Sequence, residues 1–111
     1  MKTTSLHWIR LLATTTLMLG MSAATHAQEK ATELHNRATA AMCANCHGTD
    51  GRTTEGSAIP SLIGMPKDYM VLQLKAFKDG TRPATVMHQI TKGLTDAQIN
   101  TISSYYAATK R

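Results

Sequence analysis

The chain has 111 residues with 12 Lys and Arg, 7 Asp and Glu and only 2 Cys, enough for one small domain with a thin core. Its net charge of +5 comes without a Lys/Arg block or an aromatic ladder, which excludes nucleic acid as a partner class. Two cysteines leave no disulfide framework for a domain this small, so some other staple is expected.

In chain order, residues 1–27 read as an export signal that is cleaved. Lys2 and Arg10 form a basic start, Leu11 to Met21 an uncharged apolar run, and Thr25-His26-Ala27 offers small residues where a signal peptidase needs them. The apolar run is too short for a bilayer, which takes about 20 residues. The expected mature domain is therefore residues 28–111, periplasmic and without a membrane span. Losing Lys2 and Arg10 lowers its net charge by two.

The mature pattern is helical throughout, with no alternating strand run, and predicts one all-α domain. A first helix over 32–42 places Leu34, Ala38 and Ala41 at helical spacing. It leads into Cys43-Ala44-Asn45-Cys46-His47-Gly48. Two thiols at this spacing can each add across a vinyl group of one haem, and the imidazole that follows can take the iron from below. C-x-x-C-H is the attachment signature of c-type haem. A zinc site would need two more ligands at a second paired spacing, and there is no third cysteine. A thioredoxin-like dithiol would need alternating strands and helices. A disulfide between Cys43 and Cys46 would leave His47 without a role. One covalently bound haem c is thus the expected cofactor and the missing staple.

Gly48 to Gly64, with Pro60, reads as a loop. A second helix is predicted over 68–78, with Tyr69, Leu72 and Ala76 on one face and Met70, Leu74 and Phe77 on the next. Lys75 and Lys78 fall in its last turn, where cations suit the helix dipole, and Gly80 follows as a stop. After Thr81-Arg82-Pro83, a short helical turn spans 85–91 and halts at Gly93. The last helix starts with Thr95 and Gln98 in capping-box spacing, and Ile99, Ile102 and Tyr106 mark its buried face.

A second iron ligand must come from far along the chain. Met42 abuts Cys43 and cannot cross the haem plane. Met65 belongs with the Pro60 loop on the His47 side, and Met70 sits at core spacing. Met87, just before the closing helix, is the preferred ligand, since a thioether opposite histidine raises the reduction potential. His88 is the histidine alternative, but helical neighbours point about 100° apart, so only one of the two can face iron. His35 reads as a surface residue. The Pro60 carbonyl is the candidate acceptor for the second ring nitrogen of His47.

With C-x-x-C-H-G, Pro60, Met87 and the closing Tyr105-Tyr106, the mature chain resembles a class I cytochrome c. Ile59-Pro60-Ser61-Leu62-Ile63-Gly64 followed by Tyr69 resembles small bacterial cytochromes of the c4 and c553 type. Phe77-Lys78-Asp79-Gly80 and Ala84 to Gly93 resemble most the haem subunit of flavocytochrome c sulfide dehydrogenase. His88-Gln89 stand where that family commonly has Gly-Arg, and Thr91 where it has Ala. The resemblance implies a small all-α fold packed around one haem, with His47 and Met87 as axial ligands to iron.

The function it implies is single-electron transfer, not catalysis, with electrons passing at the haem edge near Cys43 and Cys46. The partner would be a separate FAD-containing sulfide dehydrogenase subunit, or other redox proteins. Met65, Tyr69 and Lys92 are candidate docking residues. The alternative is a freely diffusing c553-type shuttle to a terminal oxidase or reductase. A third reading, a haem enzyme with an open iron site, would require a labile or missing Met87 bond.

Overall fold

The computed structural model describes the backbone of residues 4–110 and the side chains of residues 24–110. The leader features Lys2, Arg10 and Leu11 to Met21 lie outside the residues described to that level. The elements are α1 (Thr4–His47), a 3-10 turn (Thr49–Gly51), α2 (Lys67–Asp79), α3 (Met87–Lys92) and α4 (Asp96–Ala108). No strand occurs among the described residues. The protein is all-α, as the hydropathy pattern predicts. Contacts divide it into residues 1–34 and 35–111. In the first unit, residues 24–34 are helical and exposed.

In the second unit, α1 turns an unexpected face inward. Ala38 and Ala41 are exposed, as is Leu34 in the first unit, at 68%. Ala40 (0% exposed) and His47 (9%) are buried instead, with Cys43 partly so. Spacings of three and four residues put 40, 43 and 47 on one stripe. The residues that hold the site therefore choose the buried face, and the apolarity of Leu34 does not.

Helix α2 carries Asp68 in its first turn and ends at Gly80, whose φ of 77° is the left-handed conformation that suits glycine. Met70 and Leu74, four residues apart, are buried, whereas Tyr69 and Leu72 are about half or more exposed. The Met70 and Leu74 stripe joins the core, and α2 packs on α3 and α4. The other predicted face, with Tyr69 and Leu72, is the open one. Lys78 lies in the last turn of α2 as expected, and its side chain also reaches beyond its own helix. Its Nζ donates to the Leu94 carbonyl at 2.7 Å and to Asp96 at 3.4 Å, tying α2 to the start of α4. Lys75 lies 3.6 Å from the same carboxylate, and the two cations hold Asp96 below the usual carboxylate range.

Helix α3 begins at Met87, two residues later than the pattern predicts, without a side-chain cap. Helix α4 has the full capping box: the Thr95 hydroxyl accepts from the Gln98 N–H, and the Gln98 side chain accepts from the Thr95 N–H. Ile99, Ile102 and Tyr106 are buried as expected, and Ser103 with them.

Tyr106 joins three segments. Its hydroxyl donates to the Ala40 carbonyl of α1 at 2.8 Å, and its own carbonyl accepts from the Gly64 N–H at 2.9 Å. Its ring lies against Gly51, where a Cβ would sit 2.5 Å from Cε1. Gly51 also has φ +78°, and its carbonyl accepts from the Leu62 N–H and the Ser61 hydroxyl. Burial is the main cause that raises the Tyr106 phenol above its ordinary value, with the Cys43 sulfur second. This latch sets the end of α1 beside the loop that carries Pro60.

Candidate haem site

The last turn of α1 presents Cys43, Cys46 and His47 at spacings that share one side of a helix. Cys46 is exposed and Cys43 partly buried, and both thiols are free. Burial, followed by the neighbouring Cys46, raises the Cys43 thiol above its ordinary value. A reactive redox dithiol depends on a lowered thiol pKa, so the environment of Cys43 runs against that reading. Among the described residues, no three His, Cys, Asp or Glu side chains gather as a metal cluster.

The His47 ring is held from behind. Nδ1 lies 2.7 Å from the carbonyl of Pro60. A carbonyl only accepts, so Nδ1 carries a proton and donates, and Nε2 is the ring nitrogen left over for another partner. The loop bringing Pro60 there is itself fastened, through Leu62 and Ser61, to the carbonyl of Gly51.

His47, both cysteines and Pro60 line one cavity of about 500 Å³, mostly apolar, and Met87 and Ile90 of α3 line it too. Its volume falls in the range of cofactor pockets. Met65 and Met70 also reach its wall. Met70 is 3% exposed and belongs to the core cluster. His88 does not line the cavity, and His35 is exposed. The Thr91 hydroxyl donates to the Met87 carbonyl at 2.8 Å, securing the first turn of α3. Of the candidate docking residues, Tyr69 and Lys92 are exposed and Met65 is partly buried.

Sequence reasoning gave no site role to Gln73 or Arg82, and placed Phe77 only on a helix face and in a motif. Arg82 sits with its guanidinium 4.5 Å from the Phe77 ring centroid, bonds to the Gln73 side chain, and lines the cavity together with both. The signal was a cation in a loop after a helix stop, which has no meaning until the fold folds it back.

These residues fit a haem covalently attached through its vinyl groups. The wall is apolar, two thiols stand at one edge, and one imidazole is left with a free Nε2. The thioethers of Met42, Met65, Met70 and Met87 are available on the same wall. A family profile for cytochrome c matches residues 36–110.

The chain belongs to the cytochrome c family.

It is 39% identical over 84 residues to the cytochrome subunit of sulfide dehydrogenase of Chlorobaculum tepidum, covering 76% of this chain and 74% of that one. It is 38% identical over 71 residues to the thiosulfate dehydrogenase electron acceptor of Thiomonas intermedia, covering 64% of this chain but 33% of that protein. The solved structure of cytochrome c4 from Acidithiobacillus ferrooxidans aligns with a TM-score of 0.56 at 38% identity, over 60% of this chain and 37% of that one. The chain thus spans about three quarters of the first relative and about a third of the other two. As a cytochrome c, it carries covalently bound haem c and serves electron transfer, not catalysis. Among the described residues, no helix is long and apolar enough to cross a membrane.

Proposed function

We propose that this cytochrome c is an exported, periplasmic carrier of single electrons, released by cleavage after Ala27. Cys43 and Cys46 would bind its one haem, and His47 and Met87 would hold the iron from its two sides. When bound, the haem supplies a one-electron ferric/ferrous couple. The protein's own part is to fix the His47 ring through Pro60, exclude water with the apolar wall, and leave no open position for a substrate. With both His47 and Met87 on the iron, little would need to move as the charge changes, which would suit fast electron transfer. The observation that carries this reading is the His47 to Pro60 bond at the wall of a cavity that Met87 also lines.

The donor we infer is a flavoprotein sulfide dehydrogenase, whose flavin would release its two electrons singly to this haem. The support is the resemblance over most of the length of the Chlorobaculum subunit. The chain lacks a flavin-binding glycine fingerprint of its own, so sulfur chemistry would belong to the partner. The similarity to a thiosulfate dehydrogenase electron acceptor favours a second reading, a freely diffusing shuttle of the c553 type. Isolation of the haem fraction from native periplasm at low salt separates the two. A co-eluting flavin absorbance bleached by sulfide supports the subunit reading. A small haem-only species unmoved by sulfide supports the shuttle.

A further inference from the structure

Tyr105 and Tyr106 stand side by side on α4 but meet unlike partners. Tyr106 is 1% exposed, its hydroxyl donates to the Ala40 carbonyl at 2.8 Å, and the Cys43 side chain acts on the same hydroxyl. Tyr105 is only partly buried, and its hydroxyl donates to Oδ1 of Asp50 in the 3-10 turn at 3.2 Å. Asp50 has φ 51°, the one positive value among the described residues other than glycine, and Arg37 lies 3.9 Å from the same oxygen. The two rings pack edge to face with centroids 5.1 Å apart. Cys43, Tyr106, Tyr105 and Asp50 thus form an unbroken chain of contacts from the haem-attachment turn to the surface. Neither tyrosine lines the cavity, and nor does Asp50.

A phenol that gives up an electron also gives up its proton, so its hydrogen-bond partner decides where this can happen. A positioned carboxylate can take the proton, whereas a backbone carbonyl is too weak a base. We propose that Tyr105, with Asp50 as its proton acceptor, is a redox-active side chain that is refilled from the haem by way of Tyr106 and Cys43. A small one-electron oxidant of the radical class, meeting this face, takes one electron from Tyr105 and leaves as its anion. The Tyr105 O–H bond breaks, and the proton passes to Oδ1 of Asp50. One electron from the ferrous haem then reduces Tyr105, which takes its proton back from Asp50. The net change is one radical reduced and one haem oxidised, with Asp50 and both tyrosines restored. Tyr106 is the bridge and not the resting place, because Ala40 offers its hydroxyl no base. The pair is a second outlet for the haem electron, away from the cavity, that quenches radicals at the surface.

The inference rests on a haem joined through Cys43, and haemochrome spectra read that separately. Tyr69 is the remaining tyrosine and Trp8 lies in the leader, so the Tyr69→Phe holoprotein keeps phenols only at the pair. Pulse radiolysis with azide radicals then follows the tyrosyl and haem absorbances together. In the ferrous Tyr69→Phe protein, a tyrosyl radical should form and decay in step with haem oxidation, at a rate independent of protein concentration. In the ferric protein the same radical should last severalfold longer. Adding Tyr105→Phe should remove the concentration-independent phase. Adding Tyr106→Phe instead should keep the radical but slow its transfer severalfold. Asp50→Asn should lower the radical yield, and Asp50→Glu should restore part of it. A concentration-independent phase that survives Tyr105→Phe, a transfer rate unmoved by Tyr106→Phe, or a radical yield unmoved by Asp50→Asn would overturn the proposal. A Tyr69→Phe protein without thioether-bound haem would instead overturn the attachment on which it rests.

Discussion

Nδ1 of His47 and the carbonyl of Pro60 lie 2.7 Å apart, the one at the end of α1 and the other in the loop that follows. That bond sets the tautomer, the ring plane and the electron density of the imidazole together. Pro60→Gly keeps the carbonyl but frees the loop around it. It is expected to cost about 1 kcal/mol, chiefly through the unfolded chain, measured by guanidinium unfolding of the holoprotein. A looser bond also makes the imidazole a weaker donor, so the reduction potential should rise. An unchanged potential would remove the bond from the account.

Gly51→Ala tests the latch that places this loop. The new methyl would meet the Tyr106 ring at 2.5 Å, on a backbone held at φ +78°. The left-handed conformation and the overpacking together should cost roughly 2 to 5 kcal/mol. Denaturant midpoints would show it, and a loss below 1 kcal/mol would mean that the loop shifts without strain.

Tyr106→Phe removes the hydroxyl that reaches Ala40 across the core. The expected cost near neutral pH is about 1 kcal/mol. Burial raises the Tyr106 phenol above its ordinary value of 10. The unfolded state therefore loses this proton first as pH rises. The stabilisation is full below the unfolded value and fades as pH climbs toward the native one. Between about pH 9 and 11, the wild type should lose stability more steeply than Tyr106→Phe. Parallel curves would contradict the assigned burial. Tyr105, also raised by burial, is present in both proteins and cancels.

A closed iron site predicts slow carbon monoxide binding to the ferrous wild type, limited by release of Met87. Mixing experiments that show rapid binding would return the open-site enzyme reading.

The sequence was most legible where signals are local. Thr95 and Gln98 close a capping box three residues apart, and Gly80 stops α2, because both depend only on neighbouring backbone. The C-x-x-C-H run names its cofactor for the same reason. Faces were less legible. Leu34 and Leu72 look like core by periodicity but stay exposed, because the inward stripes of α1 and α2 are selected by the cavity and by α4. Lys78 reads as a helix-end cation, yet it reaches Leu94 and Asp96, a partnership created only when α4 packs. Arg82 was invisible for a similar reason: its place beside Phe77 and Gln73 depends on the chain turning back along α2.

The most direct test of the account is the near-infrared spectrum of the ferric holoprotein with and without Met87. The wild type should show the thioether-to-ferric band. Met87→Ala should lose it, with a lower reduction potential. A band that survives the substitution would contradict ligation by Met87 and bring back Met65 or Met70, and a wild type that lacks it would bring back His88.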